Sequence, residues 1–196
     1  MNSEVWINGQ SLGVHPYGYT PFYYELTPYL NPVGEKNTLA VKVSNTGKNS
    51  RWYSGSGIYR HVDLVVTDKV HIPIWGISIS TPEVSKEKAK IKIRIDLVNE
   101  TKESGKILIN THLIGPNSPE KIEAVAIIDP FSGDKATVEQ VFDLKNPTLW
   151  TLDSPALYQA VTEVSFNGKV VDRQTTTFGI RSIAYSADKG FLLNGE

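Results

Sequence analysis

The hairpin that decides the fold reads YQAVTEVSF-NG-KVVDRQTTT, from Tyr158 to Thr177. In its first arm, residues suited to a core alternate with polar residues, which is typical of a strand with one buried face. Asn167-Gly168 separates the arms and is a strong hairpin signal, because both positions of such a tight turn need φ > 0. The segment therefore predicts two antiparallel strands joined by a two-residue turn.

The same alternation recurs elsewhere in the chain. From Ala89 to Leu97 apolar residues alternate with charged ones, which predicts a half-buried strand with a charged outer face. Asn8-Gly9 follows Val5-Trp6-Ile7 and predicts a second hairpin. Further strands are predicted at Tyr19–Glu25, Leu39–Val43, Ile58–Val66, Ile72–Ser80, Lys106–Leu113, Ile122–Ile128 and Val138–Leu144.

These signals predict an all-β fold. No long stretch has a period near 3.6, and 11 prolines and 15 glycines interrupt the chain at short intervals. Residues 70–183 carry enough strand signals for one immunoglobulin-like β-sandwich of about 100 residues. A boundary near Asp68-Lys69 leaves only four or five predicted strands in residues 1–68, which is part of a second sandwich.

Composition excludes several classes of function. The chain has 196 residues, a formal net charge of −1 and 40% hydrophobic residues, so nothing drives it electrostatically toward nucleic acid or an anionic membrane. No apolar run approaches the roughly 20 residues of a membrane helix, and no signal peptide is visible. The absence of cysteine excludes disulfides and thiolate chemistry but leaves the compartment open between cytoplasm and periplasm.

A dense segment, Ser50–Arg60, reads SRWYSGSGIYR. It resembles the S-R-W-Y-x-G-x-G-I-Y-R segment of glycoside hydrolase family 2, the family of β-galactosidases, β-glucuronidases and β-mannosidases. Each block of the resemblance is a weak motif by itself, but the blocks follow the family order with plausible spacing. The first block, Val5–Phe22, is similar to a strand pair of the family's sugar-binding jelly roll. The second block is Asn37–Val41 running into Ser50–Arg60. The third block, Leu149–Tyr158 with Phe178–Arg181, is similar to the last strands of the family's immunoglobulin-like domain.

The resemblance implies a domain order. Residues 1–68 correspond to the C-terminal part of the jelly roll, 69–183 to the immunoglobulin-like sandwich, and 184–196 to a hairpin leading to a catalytic (β/α)₈ barrel that this chain lacks. It implies a retaining β-glycosidase as the parent, with this chain inactive alone. The jelly roll of the family is longer than 68 residues, so we expect unpaired strand edges and self-association.

Catalytic, metal and cofactor sites are not predicted. A retaining glycosidase needs two carboxyl groups about 5–5.5 Å apart, and the resemblance places both on barrel strands. Asn99-Glu100 has the family's acid/base dipeptide but lies in a polar segment that favours a solvated turn. The four histidines, at 15, 61, 71 and 112, show no metal-ligand spacing.

Sugar binding is the chemistry that the residues do suggest. A pyranose ring offers an apolar face to aromatics and a polar rim to charged donors, and Arg51, Trp52 and Tyr53 supply both. The alternative is that Trp52 and Tyr59 are core residues and that Arg60 holds a domain seam. An aromatic cluster is predicted as sandwich core, although Tyr17 and Tyr19 lie in a Gly/Pro-rich loop that could reach a ligand; its members are Tyr17, Tyr19, Phe22, Tyr23, Tyr24 and Tyr29.

Two other interpretations stay open at this stage. The chain could be a stand-alone carbohydrate-binding module, which would show saturable sugar binding. It could instead be a structural β-sandwich that meets a protein partner.

Overall fold

A computed structural model describes residues 2–47, 51–53, 55–116 and 121–196. These residues form β-strands and one short 3₁₀ turn, Thr27–Tyr29, and none of them lies in an α-helix. The predicted all-β fold is therefore confirmed. The chain divides into two compact units, Met1–Leu64 and Val65–Glu196.

Unit 1 contains one antiparallel sheet of three short strands. The strands are β1 (Ser3–Ile7), β2 (Gln10–His15) and β3 (Leu39–Val43), in the order β2-β1-β3. Asn8 and Gly9 connect β1 to β2 with φ values of 51° and 83°, as the Asn-Gly signal predicted. Among the described apolar side chains of this unit, Val5 and Ile7 are the ones fully buried.

Two predicted strands in the first third of the chain are wrong. Tyr19–Glu25 and the described residues 58–66 form no ladder, and most of their side chains are exposed. Alternation shows which way side chains point along an extended segment, but a strand also needs a neighbour within hydrogen-bonding distance. The predicted aromatic core is also wrong for most of its members, since Tyr17, Tyr19, Phe22, Tyr23 and Tyr29 are exposed.

Unit 2 is a two-sheet antiparallel sandwich. One sheet has the order β11-β10-β7-β8, and in the other β6 pairs with β4 and β5 along one edge and with β9 along the other. A two-stranded hairpin, β12–β13, follows. The strands are β4 (Val70–His71), β5 (Ile77–Val84), β6 (Lys88–Asn99), β7 (Gly105–Ile114), β8 (Lys121–Phe131), β9 (Lys135–Lys145), β10 (Tyr158–Phe166), β11 (Lys169–Phe178), β12 (Ile183–Ser186) and β13 (Gly190–Leu193).

The strand predicted at Ile72–Ser80 is confirmed only in its last part. Residues 72–76 lie between β4 and β5, and Ile77–Ser80 belong to β5. Pro73 has no N–H to contribute to a ladder, and a turn follows in which the Gly76 N–H donates to the Pro73 carbonyl at 2.8 Å. Trp75 within this turn has φ of 60°.

The core of unit 2 lies between the two sheets. Every second residue of β6 from Ala89 to Leu97 is buried, and these side chains pack in one cluster with Ile107 and Ile109 of β7 and with Val164 of β10. The half-buried strand predicted there is confirmed. On the outer face of β6 three of the four cations are paired with carboxylates: Lys90 with Glu83, Lys92 with Glu139, and Arg94 with Asp96.

Buried polar groups fix the sandwich in one arrangement. The hydroxyls of Thr111 and Thr162 are 3.0 Å apart where β7 pairs with β10. Gln140 of β9 crosses to the opposite sheet, where its Nε2 donates to the carbonyls of Ile109 and Ala124, both at 3.2 Å. Because a buried donor is costly when unpaired, these bonds favour one register of sheet on sheet.

The connection from β9 to β10 carries a hallmark of immunoglobulin-like sandwiches. Tyr158 is buried at the start of β10, and its hydroxyl accepts a hydrogen bond from the Thr148 N–H at 2.8 Å. This bond resembles the tyrosine corner of immunoglobulin domains, but it reaches ten residues upstream instead of a few. The ring also stacks on Phe178 of β11 at 5.6 Å, so the corner ties together both strands of the hairpin that ends the sandwich.

Candidate functional site

The predicted sugar-contacting residues Arg51, Trp52 and Tyr53 lie in unit 1, outside any strand. All three are exposed, with Trp52 at 79% and Tyr53 fully accessible. Trp52 is therefore not part of the core that this chain forms by itself. Their neighbours Ser50 and Ser54 lie outside the described residues. Contact between these three side chains and a sugar stays a prediction.

The end of the same segment contacts the tyrosine-rich loop. The Tyr59 hydroxyl donates to the Gly18 carbonyl at 3.0 Å, across 41 positions of sequence. The Arg60 guanidinium lies 6.0 Å from the centre of the Tyr59 ring, at the outer limit of a cation–π contact. Tyr59 is more than half exposed, so the predicted core alternative does not hold for it either.

Around Gly18 the loop is built from aromatic contacts. Tyr17 and Tyr19 meet edge to face with ring centres 5.6 Å apart, and His15 stacks on Phe22 at 4.3 Å. The His15 Nε2 also lies 3.0 Å from the Thr20 hydroxyl. The loop is therefore held by its own side chains while Tyr17 and Tyr19 face solvent.

Charge in unit 1 is distributed differently from charge in unit 2. Each ion pair among the described residues joins two residues of unit 2. Arg51 and Arg60 are exposed and have no carboxylate partner within that described part of the chain. Unit 1 thus presents aromatic faces together with cations that are available as hydrogen-bond donors.

Asn99-Glu100 has a structural role. The Asn99 side chain is buried, and its Oδ1 accepts from the Thr101 N–H at 3.0 Å and from the Thr101 hydroxyl at 2.6 Å. Its Nδ2 donates to the Glu103 carbonyl at 2.9 Å. The dipeptide therefore closes the turn between β6 and β7, as its polar composition predicted.

Neither a metal-binding group nor a membrane helix is found among the described residues. Within 2–47, 51–53, 55–116 and 121–196, no group of three His, Asp or Glu side chains could hold a metal ion. In the same ranges no helix has the length and apolar character needed to cross a membrane.

Unit 2 contains a cleft that the sequence did not predict as a site. It has a volume of about 430 Å³ and is lined by Trp150, Leu152, Arg181, Ile183, Phe191, Leu193 and Glu196. The Arg181 guanidinium lies 4.7 Å from the centre of the Trp150 ring and covers it. The only sequence signal was the resemblance of the blocks around Trp150 and Arg181, which carries no information about a cavity.

Asn194 fixes the terminal hairpin beside this cleft. Its Nδ2 donates to the Trp150 carbonyl at 3.0 Å, and its Oδ1 accepts from the Ser182 N–H at 2.9 Å. Trp150 is also bonded through its own N–H to the Ile180 carbonyl at 2.8 Å. The Asn194 side chain therefore helps to attach the hairpin to the sandwich of unit 2, together with the bond from the Asn194 N–H to the Ser182 carbonyl at 2.9 Å.

Comparison with known proteins places this geometry in a family. The family model for glycosyl hydrolases family 2 matches residues 70–181. A β-galactosidase from Bacteroides ovatus is 43% identical over 197 residues, which are all of this chain and 23% of that protein. A putative β-glucuronidase from Formosa agariphila is 39% identical over 199 residues, again all of this chain and 18% of that protein.

Solved structures give the same picture. A glycosyl hydrolase family 2 member from Bacteroides cellulosilyticus superposes with a TM-score of 0.89 at 37% identity, over 100% of this chain and 27% of that one. A β-glucuronidase from Bacteroides uniformis matches with a TM-score of 0.81 at 28% identity. The chain spans less than a quarter of the length of the two curated relatives.

Proposed function

Because the chain belongs to glycosyl hydrolases family 2, we propose that it forms the non-catalytic β-sandwich part of a larger retaining β-glycosidase. The observation that carries this proposal is the coverage: similarity extends over all of this chain but over less than a quarter of a β-galactosidase and of a putative β-glucuronidase. The work of unit 2 is positional. Its sandwich is a scaffold for the terminal hairpin, and a site assembled from several domains requires such support.

In this proposal, side chains of unit 1 contact the sugar substrate. Arg51, Trp52 and Tyr53 are accessible and combine aromatic faces with a cation, the combination that suits a pyranose ring. We assign them a minor binding role and no chemical step. The two carboxyl groups that perform retaining hydrolysis belong to the catalytic domain of the parent enzyme.

The test is to sequence the DNA on both sides of the reading frame and to assay the encoded protein. We expect the frame to continue into strand–helix repeats, and the long product to hydrolyse p-nitrophenyl β-D-galactoside or β-D-glucuronide while this chain alone does not. A stop codon directly after Glu196 with no upstream strands would overturn the proposal.

The second candidate is a stand-alone carbohydrate-binding module. The exposure of Trp52 and Tyr53 favours it, since such modules bind through accessible aromatics. Saturable sugar binding by this chain combined with that stop codon would support it over the first proposal.

A further inference from the structure

Three Asn-Gly dipeptides of the chain form tight turns of nearly the same shape. They are Asn8-Gly9, Asn167-Gly168 and Asn194-Gly195, with φ from 50° to 54° at the asparagine and from 82° to 90° at the glycine. Asparagine before glycine is prone to lose its side-chain amide, because glycine has no Cβ to hinder attack of its backbone nitrogen on the asparagine Cγ. Since the three backbones are so alike, the surroundings of each side chain decide which asparagine reacts.

The three side-chain amides differ in how their nitrogen is held. The Asn8 Nδ2 donates to the Tyr29 carbonyl at 2.9 Å, and the Asn194 Nδ2 donates to the Trp150 carbonyl at 3.0 Å. In the described part of the chain, the Asn167 Nδ2 has no hydrogen-bond acceptor. Asn167 is also exposed, whereas Asn8 and Asn194 are half-buried. The leaving nitrogen is therefore least restrained at Asn167.

The other groups that the reaction needs are in place at the same turn. The Asn167 Oδ1 accepts a hydrogen bond from the Lys106 N–H at 2.9 Å. A donor at this oxygen stabilises the negative charge that develops on it when the Cγ is attacked. The attacking Gly168 N–H takes part in no hydrogen bond among the described residues. The space beside the Gly168 Cα is open, since a Cβ there would meet no atom within 4 Å.

We propose that Asn167 is a site of spontaneous deamidation and reacts before Asn194 in the folded chain. The Gly168 nitrogen gives up its proton and forms a bond to the Asn167 Cγ, while the Cγ–Nδ2 bond breaks and the amide nitrogen leaves as ammonia. Water then opens the resulting succinimide at either carbonyl and gives aspartate or isoaspartate. Water is the only co-reactant, and nothing is oxidised or reduced. This inference does not depend on the proposed function.

The modification acts on the connection between this turn and β7. The Asn167 N–H donates to the Lys106 carbonyl at 2.8 Å, and the Asn167 Oδ1 accepts from the Lys106 N–H. Isoaspartate lengthens the backbone at position 167 and shortens the side chain, so the side-chain oxygen no longer reaches that donor in the same geometry. We therefore expect the β10–β11 hairpin to lose part of its attachment to β7 as the protein ages.

The experiment follows the native full chain during incubation at pH 8. Samples are digested with pepsin in acid, which limits deamidation during the digestion. Mass spectrometry with fragmentation then measures the deamidated fraction at each asparagine and distinguishes isoaspartate from aspartate. Asn194 is the matched control, because it lies in the same unit and in a turn of the same shape. A second sample, unfolded in urea, gives the rates without the fold.

We expect Asn167 to deamidate about tenfold faster than Asn194 in the folded chain, because one more hydrogen bond must break at Asn194. We expect isoaspartate among the products and similar rates at the two positions in urea. The inference is overturned if Asn167 reacts no faster than Asn194 in the folded chain, or if aspartate forms without isoaspartate. It is also overturned if the full difference persists in urea, because local sequence and not the fold would then select Asn167.

Discussion

At the scale of single residues, Gly179 is required by Trp150. A Cβ at position 179 would lie 3.1 Å from the Cβ and Cδ1 atoms of Trp150. The tryptophan cannot easily move, because its backbone is bonded to Ile180 and Asn194 and its ring is covered by Arg181. Gly179→Ala should therefore destabilise unit 2 by about 1–3 kcal/mol through overpacking.

Chemical denaturation followed by far-UV circular dichroism measures this effect. The matched control is Gly133→Ala, since a Cβ there meets nothing closer than 3.7 Å. Equal stability of the two variants would show that the region around Trp150 relaxes freely, contrary to the contacts described above.

The hydroxyl of Tyr158 should stabilise unit 2 in addition to its buried ring. Tyr158→Phe keeps the stack on Phe178 and removes the acceptor for the Thr148 N–H, which then lacks its partner in a partly buried site. We expect a loss of about 1–2 kcal/mol in the free energy of unfolding. Tyr185→Phe, at an exposed tyrosine, is the control and should leave the thermal midpoint unchanged.

At the scale of strands, β5 and β6 are joined by a pair whose strength depends on pH. A hydrogen bond from Lys90, assisted by its charge, lowers the pKa of Glu83, and the same bond raises the pKa of Lys90. A carboxyl group whose pKa is lowered on folding stabilises the protein above its unfolded pKa. That contribution is lost as pH falls through the folded pKa.

Glu83→Gln should therefore lower the thermal midpoint slightly at neutral pH and have no effect in acid. The effect is small because the pair is exposed and screened by solvent. The measurement is the thermal midpoint of both proteins from pH 7 to pH 2, repeated in a Lys90→Gln background. A difference that persists in that background would show that Lys90 is not the cause.

Strands were predictable from sequence where one face is buried within the same unit. Lys88–Asn99 and Tyr158–Phe178 were correct because alternation and an Asn-Gly turn are local signals. Residues 58–66 have a similar alternation but no neighbouring strand in the described part of the chain, and a neighbour is a property of the whole fold. The Tyr59–Gly18 bond spans 41 positions and the Trp150 cleft joins distant segments, so neither could be inferred from spacing.

At the scale of the whole molecule, the two units differ in how much they bury. Unit 2 has a continuous core between two sheets, whereas the described residues of unit 1 bury only Val5 and Ile7 among their apolar side chains. Three strands of five or six residues are close to the minimum for independent stability.

Amide hydrogen exchange should therefore be slow in β6, β7 and β10 and fast in β1–β3. Comparable protection in both units would contradict this.

The same difference leads us to propose that the chain self-associates through unit 1. β2 and β3 are the edges of their sheet, and Val14 and Val41 on them are exposed. An open edge with apolar side chains is a template for pairing with another chain.

Sedimentation velocity should show association that rises with protein concentration. Val41→Lys should reduce this association, because a lysine on an edge strand opposes pairing. Leu108→Lys, at an exposed apolar position on β7 inside a sheet of unit 2, should leave association unchanged. A native chain that stays monomeric at all concentrations would contradict the proposal, and so would equal effects of the two lysines.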